Sequence, residues 1–456
     1  MPNLPPLVVL ERGVRALAGT CSRWLEEILV LCFFRRMNDP KQPQYTLTEE
    51  QEQAVKLTFG EQSLAVLTGG PGTGKSYVTR AIVSAHESLK RKVLLAAPTG
   101  KAARRLTEAT GREAKTIHRL LEYLPDDTML EAEPGDLPTT LSSFRRSSLK
   151  PLEADLVIVD EASMIDLRLM RALLRACNRQ RTKLLLVGDA DQLPPVGAGA
   201  PFQDIVGSGA TKVVRLTQIH RQAEGSLIVQ GAHSVLRGDT SFLEKTGADF
   251  RFIEEPRIES ASDMVVDLVT RILPKENGYH PLRDIQVLTP QSKGLLGTEA
   301  LNLRLQAVLN PGTGGASAMY GEIRQKDRVI QTRNDYSRGV MNGEWGQAES
   351  LDAEVLRVDM GDRMVSYPRS DAFDLSLAYA LTVHRAQGSE YKAVVVVVHS
   401  SHAYMLSRTL LYTAMTRGRE LVVIVGDTKG AKRAVANTAS NKRRTLLQKL
   451  LQNPNA

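Results

Sequence analysis

The run Gly69-Gly-Pro-Gly-Thr-Gly-Lys-Ser76 constrains this chain more than any other stretch. The apolar residues Leu64–Leu67 precede it and a helical stretch, Tyr77 to Leu89, follows it. In a strand–loop–helix setting the pattern GxxxxGK[ST] is a phosphate-binding loop. Its glycines let backbone N–H groups wrap phosphates, and the helix N-terminus adds a favourable dipole. Lys75 is placed to neutralise β- and γ-phosphates, and the Ser76 hydroxyl to ligate Mg²⁺. The candidate contacts for ATP are therefore Gly70, Pro71, Gly72, Thr73, Gly74, Lys75, Ser76 and Tyr77.

A phosphate loop needs a sheet behind it. Short apolar runs at Leu64–Leu67, Val93–Ala96, Leu156–Val159, Leu184–Val187, Gln286–Leu288, Val394–Val398 and Val422–Val425 alternate with helical stretches. Near-continuous apolar strands are buried on both faces, so the expected fold class is α/β with parallel sheets. Chemistry-bearing residues follow these strands, where open α/β sheets place their ligands. Leu156–Val159 ends in Asp160 and Glu161. Asp160 is suited to hold Mg²⁺ and Glu161 to polarise an attacking water. Leu184–Val187 leads to Asp189 and Gln192, and Gln192 is a candidate reader of the γ-phosphate. Positive charge on the developing transition state is also required. Arg221 and Arg417 are the candidates.

Two segments interrupt the alternation. Pro125 to Pro151 carries four prolines with many Ser and Thr residues and reads as a small insertion. Residues 320–375 hold short alternating strands (328–332, 354–358 and 363–367) and predict a small antiparallel β-barrel. Residues 1–44 read as an N-terminal extension. The apolar stretch Trp24–Phe34 fits one helix, and a polar linker follows Met37. The expectation is that residues 1–36 are dispensable and that Met37 is the start.

The longest apolar run, Ile28 to Phe34, is far short of the ~20 residues that span a bilayer, so no membrane partner is expected. Lys plus Arg total 59 against 51 Asp plus Glu, a net charge of +8 that suits a polyanion partner. Cys21, Cys32 and Cys177 form neither a disulfide framework nor a zinc site by spacing and fit a reducing cytosol, which makes the expected location cytoplasmic.

Taken in order, these residues resemble a superfamily 1 helicase of the RecD-like, 5′→3′ branch, from about Leu47 to Leu450. Leu47–Gln51 resembles the Q motif, in which Gln51 reads adenine, and Gly69–Ser76 resembles motif I. Ala97–Leu106 resembles motif Ia, and Thr116–Leu121 the DNA-contacting element after it. Asp160–Ser163 resembles motif II, Gly188–Val196 motif III, and Arg221 falls where motif IV belongs. Thr289–Asn302 is RecD-like in pattern, Thr382–Glu390 resembles motif V, and Tyr412–Arg417 motif VI.

The resemblance implies two RecA-like P-loop motor domains, 45–217 and 218–456, with ATP and Mg²⁺ between them. It makes Arg221 and Arg417 the arginine fingers. It implies a duplex-parting pin at about 122–153, including Phe144 to Leu152, and an SH3-like insertion at about 320–375. Departures are His220 where many relatives carry an aromatic residue, Arg385 where Lys is common, and a long Pro125–Ser143 segment.

A sequence-blind translocase grips a single strand by its backbone. Thr99, Lys101, His118, Thr382 and His384 occupy motif positions that fit such contacts. Lys429 to Lys449, with seven basic and no acidic residues, is either a further backbone contact or a solvated face. The function implied is an ATP-dependent DNA helicase. It would act on single-stranded DNA and duplex junctions, in repair or recombination and with recombination or repair proteins as partners. The alternative is an ATPase subunit of a recombination complex that does not itself unwind.

Overall fold

A computed structural model describes residues 47–124, 144–218, 225–312 and 322–453, except 336, 353, 362 and 439–444. Residues 1–44, the Pro125–Ser143 segment and Arg221 lie outside the described residues. The first sheet holds β1 (Leu64–Gly69), β2 (Val93–Ala97), β3 (Ala114–Thr116), β4 (Leu156–Val159), β5 (Lys183–Gly188) and β6 (Lys212–Leu216). They lie parallel in the order β3-β2-β4-β5-β1-β6. Alternate residues point to opposite faces. Ala65, Leu67, Leu156, Ile158, Leu185 and Val187 build one core layer, and Val66, Val157, Val159, Leu184 and Leu186 the other. Helices cover both faces, which is why the inner strands β1, β2, β4 and β5 read as apolar runs.

The second sheet starts with β7 (Phe250–Glu254) and β8 (Ile285–Thr289). The chain then makes β9 (Arg328–Gln331), β10 (Trp345–Leu351), β11 (Val355–Asp359), β12 (Met364–Pro368) and β13 (Leu375–Leu377). It returns with β14 (Ala380–Thr382), β15 (Tyr391–Val398) and β16 (Gly418–Gly426). The second sheet is parallel in the order β14-β8-β15-β16-β7. The barrel expected over 320–375 is a five-stranded antiparallel sheet, order β12-β11-β10-β9-β13. Its β11 and β12 bury alternate residues, as a one-sided sheet does. Buried Asp327 ties this insertion to the second domain: Asn310 Nδ2 and Tyr379 Oη each donate to it at 2.7 Å.

Three details differ from the sequence reading. The helix after the phosphate loop spans Lys75–Ser88, two residues ahead of the predicted start, because Gly74 already supplies the left-handed entry at φ 85°. The helix Leu447–Gln452, expected in the second domain, packs on the first: Gln448 Nε2 donates to the Gly207 carbonyl at 3.0 Å and Leu451 joins that core. In Lys429–Lys449, the helix Thr428–Ala436 buries Ala431, Ala434 and Val435, so at least this part is a packed amphipathic helix.

At the end of the helix Lys75–Ser88 away from the phosphate loop, the Thr58 hydroxyl donates to the Val55 carbonyl (2.7 Å) and lies 2.9 Å from His86 Nε2, which is therefore the donor. The ring stacks on Phe59 at 4.3 Å and its Nδ1 is buried with no partner. Burial, then Arg91 and Lys183, push the His86 pKa down to about 3. The unfolded chain thus binds a proton that the native state refuses, and stability falls as pH drops from the unfolded value near 6.5 toward 3. Thermal melts between pH 7 and 4 are expected to show this loss, and His86→Phe to flatten the profile. An unchanged slope in that variant would mean that His86 does not govern acid sensitivity.

Candidate nucleotide-hydrolysis site

The loop after β1 is shaped by glycine where nothing larger fits. A Cβ on Gly69 would lie 2.7 Å from Thr73 Oγ1 and 2.9 Å from the Leu216 carbonyl. Gly72 and Gly74 have φ of 72° and 85°, the left-handed region that glycine enters without cost. Lys75 Nζ folds back over the loop and donates to the carbonyls of Gly69 and Gly70 at 2.8 Å each. Thr73 Oγ1 donates to the same Gly70 oxygen at 2.8 Å. The arch is thus held open with its lysine at the mouth. Pro71, Gly72, Gly74, Ser76 and Tyr77 line the cleft with Lys75.

At the end of β4, the backbone N–H of Asp160 donates to the Ala96 carbonyl (2.9 Å), and that of Glu161 to Asp160 Oδ1 (2.9 Å). Burial first, then the charge of Glu161, push the Asp160 pKa up to about 6, against the pull of Lys75 and Arg105. Two adjacent acids with too little positive charge around them suit a divalent cation. With the Ser76 hydroxyl, Asp160 makes a hard-oxygen donor pair of the kind Mg²⁺ takes when phosphates and waters complete its shell. Glu161 has φ 51°, a left-handed backbone rare outside glycine. The next turn, Ala162–Met164, sits against Gly188, where a Cβ would come within 3.2 Å of two backbone nitrogens.

The second domain closes the site. Tyr412 Oη donates to Asp189 Oδ2 at 2.7 Å, and Gln192 Nε2 donates to the same oxygen at 3.3 Å. Burial raises the pKa of Asp189, and it raises that of Tyr412 well above its usual value, with the charge of Asp189 adding to it. Leu193 N–H donates to Thr413 Oγ1 (2.9 Å), and Gln387 Nε2 to the Leu193 carbonyl (3.1 Å). Arg417 is buried, its Nε donating to the Thr413 carbonyl and its Nη1 to the Ser389 carbonyl, both at 3.1 Å. Lys75, Asp160, Glu161, Gln192 and Arg417 line one cleft of about 1870 Å³.

The remaining candidates are placed as follows. Gln51 is buried and forms a capping box with Thr48, its Oε1 accepting from the Thr48 N–H at 3.1 Å. Thr99 caps the helix Gly100–Thr110 and lies 3.3 Å from where a Cβ on Gly388 would stand. Lys101 turns into the cleft, its Nζ 4.8 Å over the Tyr391 ring. His118 forms a ring cluster with Tyr123 (5.7 Å) and Phe144 (5.8 Å) at the foot of the insertion, and burial lowers its pKa. Thr382 ends β14, its Oγ1 accepting from the Arg385 N–H at 3.4 Å, and both residues line a second cavity of about 490 Å³. His384 is half-buried in the turn that follows. Sequence reasoning missed Arg105, whose Nη2 pairs with Glu390 Oε1 across the domain boundary at 2.6 Å. An arginine on a helix face carries no signal of a partner 285 residues away. It also missed Tyr412 and Asp189 as a pair, because their contact exists only once both domains are assembled.

Three parts of the chain match described families: an AAA domain over residues 46–254, an ATP-dependent RecD-like DNA helicase SH3 domain over 301–360, and a UvrD-like helicase C-terminal domain over 377–425. The chain is 41% identical over 411 residues to the ATP-dependent RecD2 DNA helicase of Deinococcus radiodurans, covering 90% of this chain and 53% of the relative. It thus spans about half of that protein's length. It is 32% identical over 427 residues to the RecBCD enzyme subunit RecD of Mycolicibacterium smegmatis, covering 86% of this chain and 73% of the relative. Among solved structures it shares its fold with the Pif1 helicase from Bacteroides in complex with ADP-AlF3 and ssDNA (TM-score 0.52, 19% identity, 86% of this chain and 94% of that one). The Pif1 helicase from Candida albicans is equally similar in fold (TM-score 0.52, 18% identity, 87% of this chain and 98% of that one).

Proposed function

The chain belongs to the RecD-like family of superfamily 1 helicases, and from that membership we propose that it is an ATP-driven motor that moves 5′→3′ on single-stranded DNA and separates duplex ahead of it. The observation that carries the reading is the single cleft in which Lys75, Asp160 and Glu161 of the first domain face Arg417 of the second. Lys75 and the loop amides hold the triphosphate. Magnesium, held by Ser76 and Asp160, would neutralise charge on the phosphate oxygens. Glu161 takes the proton of the attacking water. Arg417, and Arg221 by its motif position, offset the charge that develops in the transition state. Gln51 recognises the base by its motif position.

Gln192 and Tyr412 share Asp189, so a change at the γ-phosphate reaches both domains through one carboxylate. Arg105–Glu390 and the Leu193 contacts are the joints that nucleotide-driven opening would break and remake. Thr99, Lys101, His118, Thr382 and His384 are proposed as the strand-facing set, with Phe144 at the base of the pin and β9–β13 as the SH3-like arm. The relatives named as RecBCD subunits make recombination or repair proteins the proposed class of partner.

The test is unwinding of duplexes bearing a 5′ tail, a 3′ tail or blunt ends. ATP-dependent unwinding of the 5′-tailed duplex, and ATPase stimulated by single strands, are expected. Preference for the 3′ tail would overturn the polarity. Stimulated ATPase without strand separation would favour a non-unwinding subunit. ATPase indifferent to DNA would end the motor reading.

A further inference from the structure

Arg328 opens β9, at the root of the inserted sheet, and is 2% exposed. Its Nη1 donates to the Ile285 carbonyl at 3.0 Å, while Nε and Nη2 are buried with no partner. The adjacent acid cannot serve it: Asp327 is taken by Asn310, Tyr379 and Gln306. The guanidinium instead lies 4.3 Å over the Trp345 ring at the start of β10. Across the cleft, Lys101 is parked in the same way over Tyr391. Glu390, whose charge acts on Lys101, is already paired with Arg105, and Glu344, against Gly100, with Arg363. Burial first, then Arg328 and Arg105, pull the Lys101 pKa down to about 7. A ring face offsets only part of the cost of burying a cation. Two cations supplied by different domains, both facing the cleft and both lacking an acid, therefore lack an anion.

We propose that Arg328 and Lys101, backed by Trp345, form a phosphate-binding subsite for the backbone of a single strand, built jointly by the inserted sheet and the first domain. This rests on the nucleic-acid reading above and assigns the insertion a direct hold on the strand. A nucleotide phosphate has the same chemistry, but the nucleotide loop already has Lys75 and Arg417. The cleft, at about 1870 Å³, also runs past that loop along the helix Gly100–Thr110 to Gly346 and Arg363 of the insertion. That exceeds the ~300–1,000 Å³ of a small-molecule pocket and suits a polymer.

The test uses Arg328→Met, which keeps the side chain's length and removes its charge, beside Arg328→Lys and Lys101→Gln. Binding of a fluorescent oligothymidylate is measured across a salt series, and binding of a fluorescent ATP analogue in parallel. Arg328→Met and Lys101→Gln are each expected to weaken oligonucleotide binding by about tenfold and to lower the salt slope by about one, as loss of one phosphate contact does. Arg328→Lys is expected to keep the slope, and all three to keep wild-type affinity for the nucleotide. Unchanged oligonucleotide affinity and slope in both charge-removing variants, or a loss confined to the nucleotide, would overturn the subsite. If Arg328→Met does not fold, Lys101→Gln decides by the same criteria. A wild-type protein that binds no oligonucleotide would reject the motor reading itself, whereas one that binds while its variants match it rejects only this subsite.

Discussion

Lys75→Ala is expected to reduce ATP turnover by a factor on the order of 10²–10³ or more, the usual cost of removing one preorganised donor from a transition state. Two effects act together in this variant. The ammonium that would meet the β- and γ-phosphates is gone. So are its two 2.8 Å bonds to the Gly69 and Gly70 carbonyls, which brace the arch of the loop. Nucleotide affinity is therefore expected to fall along with turnover. Global stability is not, because β1 and the helix Lys75–Ser88 remain packed through Leu67, Val78 and Ile82. Steady-state ATPase, nucleotide titration and a thermal melt separate the three quantities. Near-normal turnover in a folded Lys75→Ala protein would remove the phosphate loop from the mechanism. Unwinding is expected to vanish with the ATPase, since the proposed motor draws its work from ATP turnover.

What the sequence could and could not disclose follows from where each signal resides. The phosphate loop and the Asp160–Glu161 pair were legible because their function demands particular residue types at fixed spacing beside a buried strand. The central strands were legible because burial on both faces leaves an apolar run, as in Val394–Val398. The edge strand β3 (Ala-Lys-Thr) and the half-exposed β6 (Lys-Val-Val-Arg-Leu) carry no such run and escaped notice. β10 escaped because its sequence, Trp-Gly-Gln-Ala-Glu-Ser-Leu, is held by pairing with β9 and β11 rather than by apolar content. Contacts between domains were the least legible. Lys101 is a basic residue in the run that resembles motif Ia, and nothing in its neighbours says that its ammonium rests on Tyr391. The same holds for Arg328, whose surroundings in sequence are those of an ordinary β-strand. His118 was read as a backbone contact, and its ring lies in an aromatic cluster with Tyr123 and Phe144. At the junction the ring therefore helps to seat the insertion, beside the strand contact proposed for it.

Glu161→Gln separates chemistry from binding. The amide keeps the shape of the carboxylate and cannot accept the water's proton. ATP binding is expected to persist while turnover falls by about 10²–10⁴, the range that general-base catalysis contributes. The left-handed backbone of this residue supplies an independent check. A non-glycine residue at φ 51° costs roughly 1–2 kcal/mol relative to a relaxed backbone. Glu161→Gly is therefore expected to be more stable than the wild type by about 1 kcal/mol once the lost side chain and added unfolded-state entropy are allowed for, yet as inactive as Glu161→Gln. The strain is thus retained at a position whose side chain the proposed chemistry requires. Thermal melts and single-turnover hydrolysis of both variants test the pair of claims. Normal hydrolysis by Glu161→Gln would move the base elsewhere. A Glu161→Gly protein less stable than the wild type would show that the surrounding turn, Ala162–Met164, needs the glutamate side chain for its own packing.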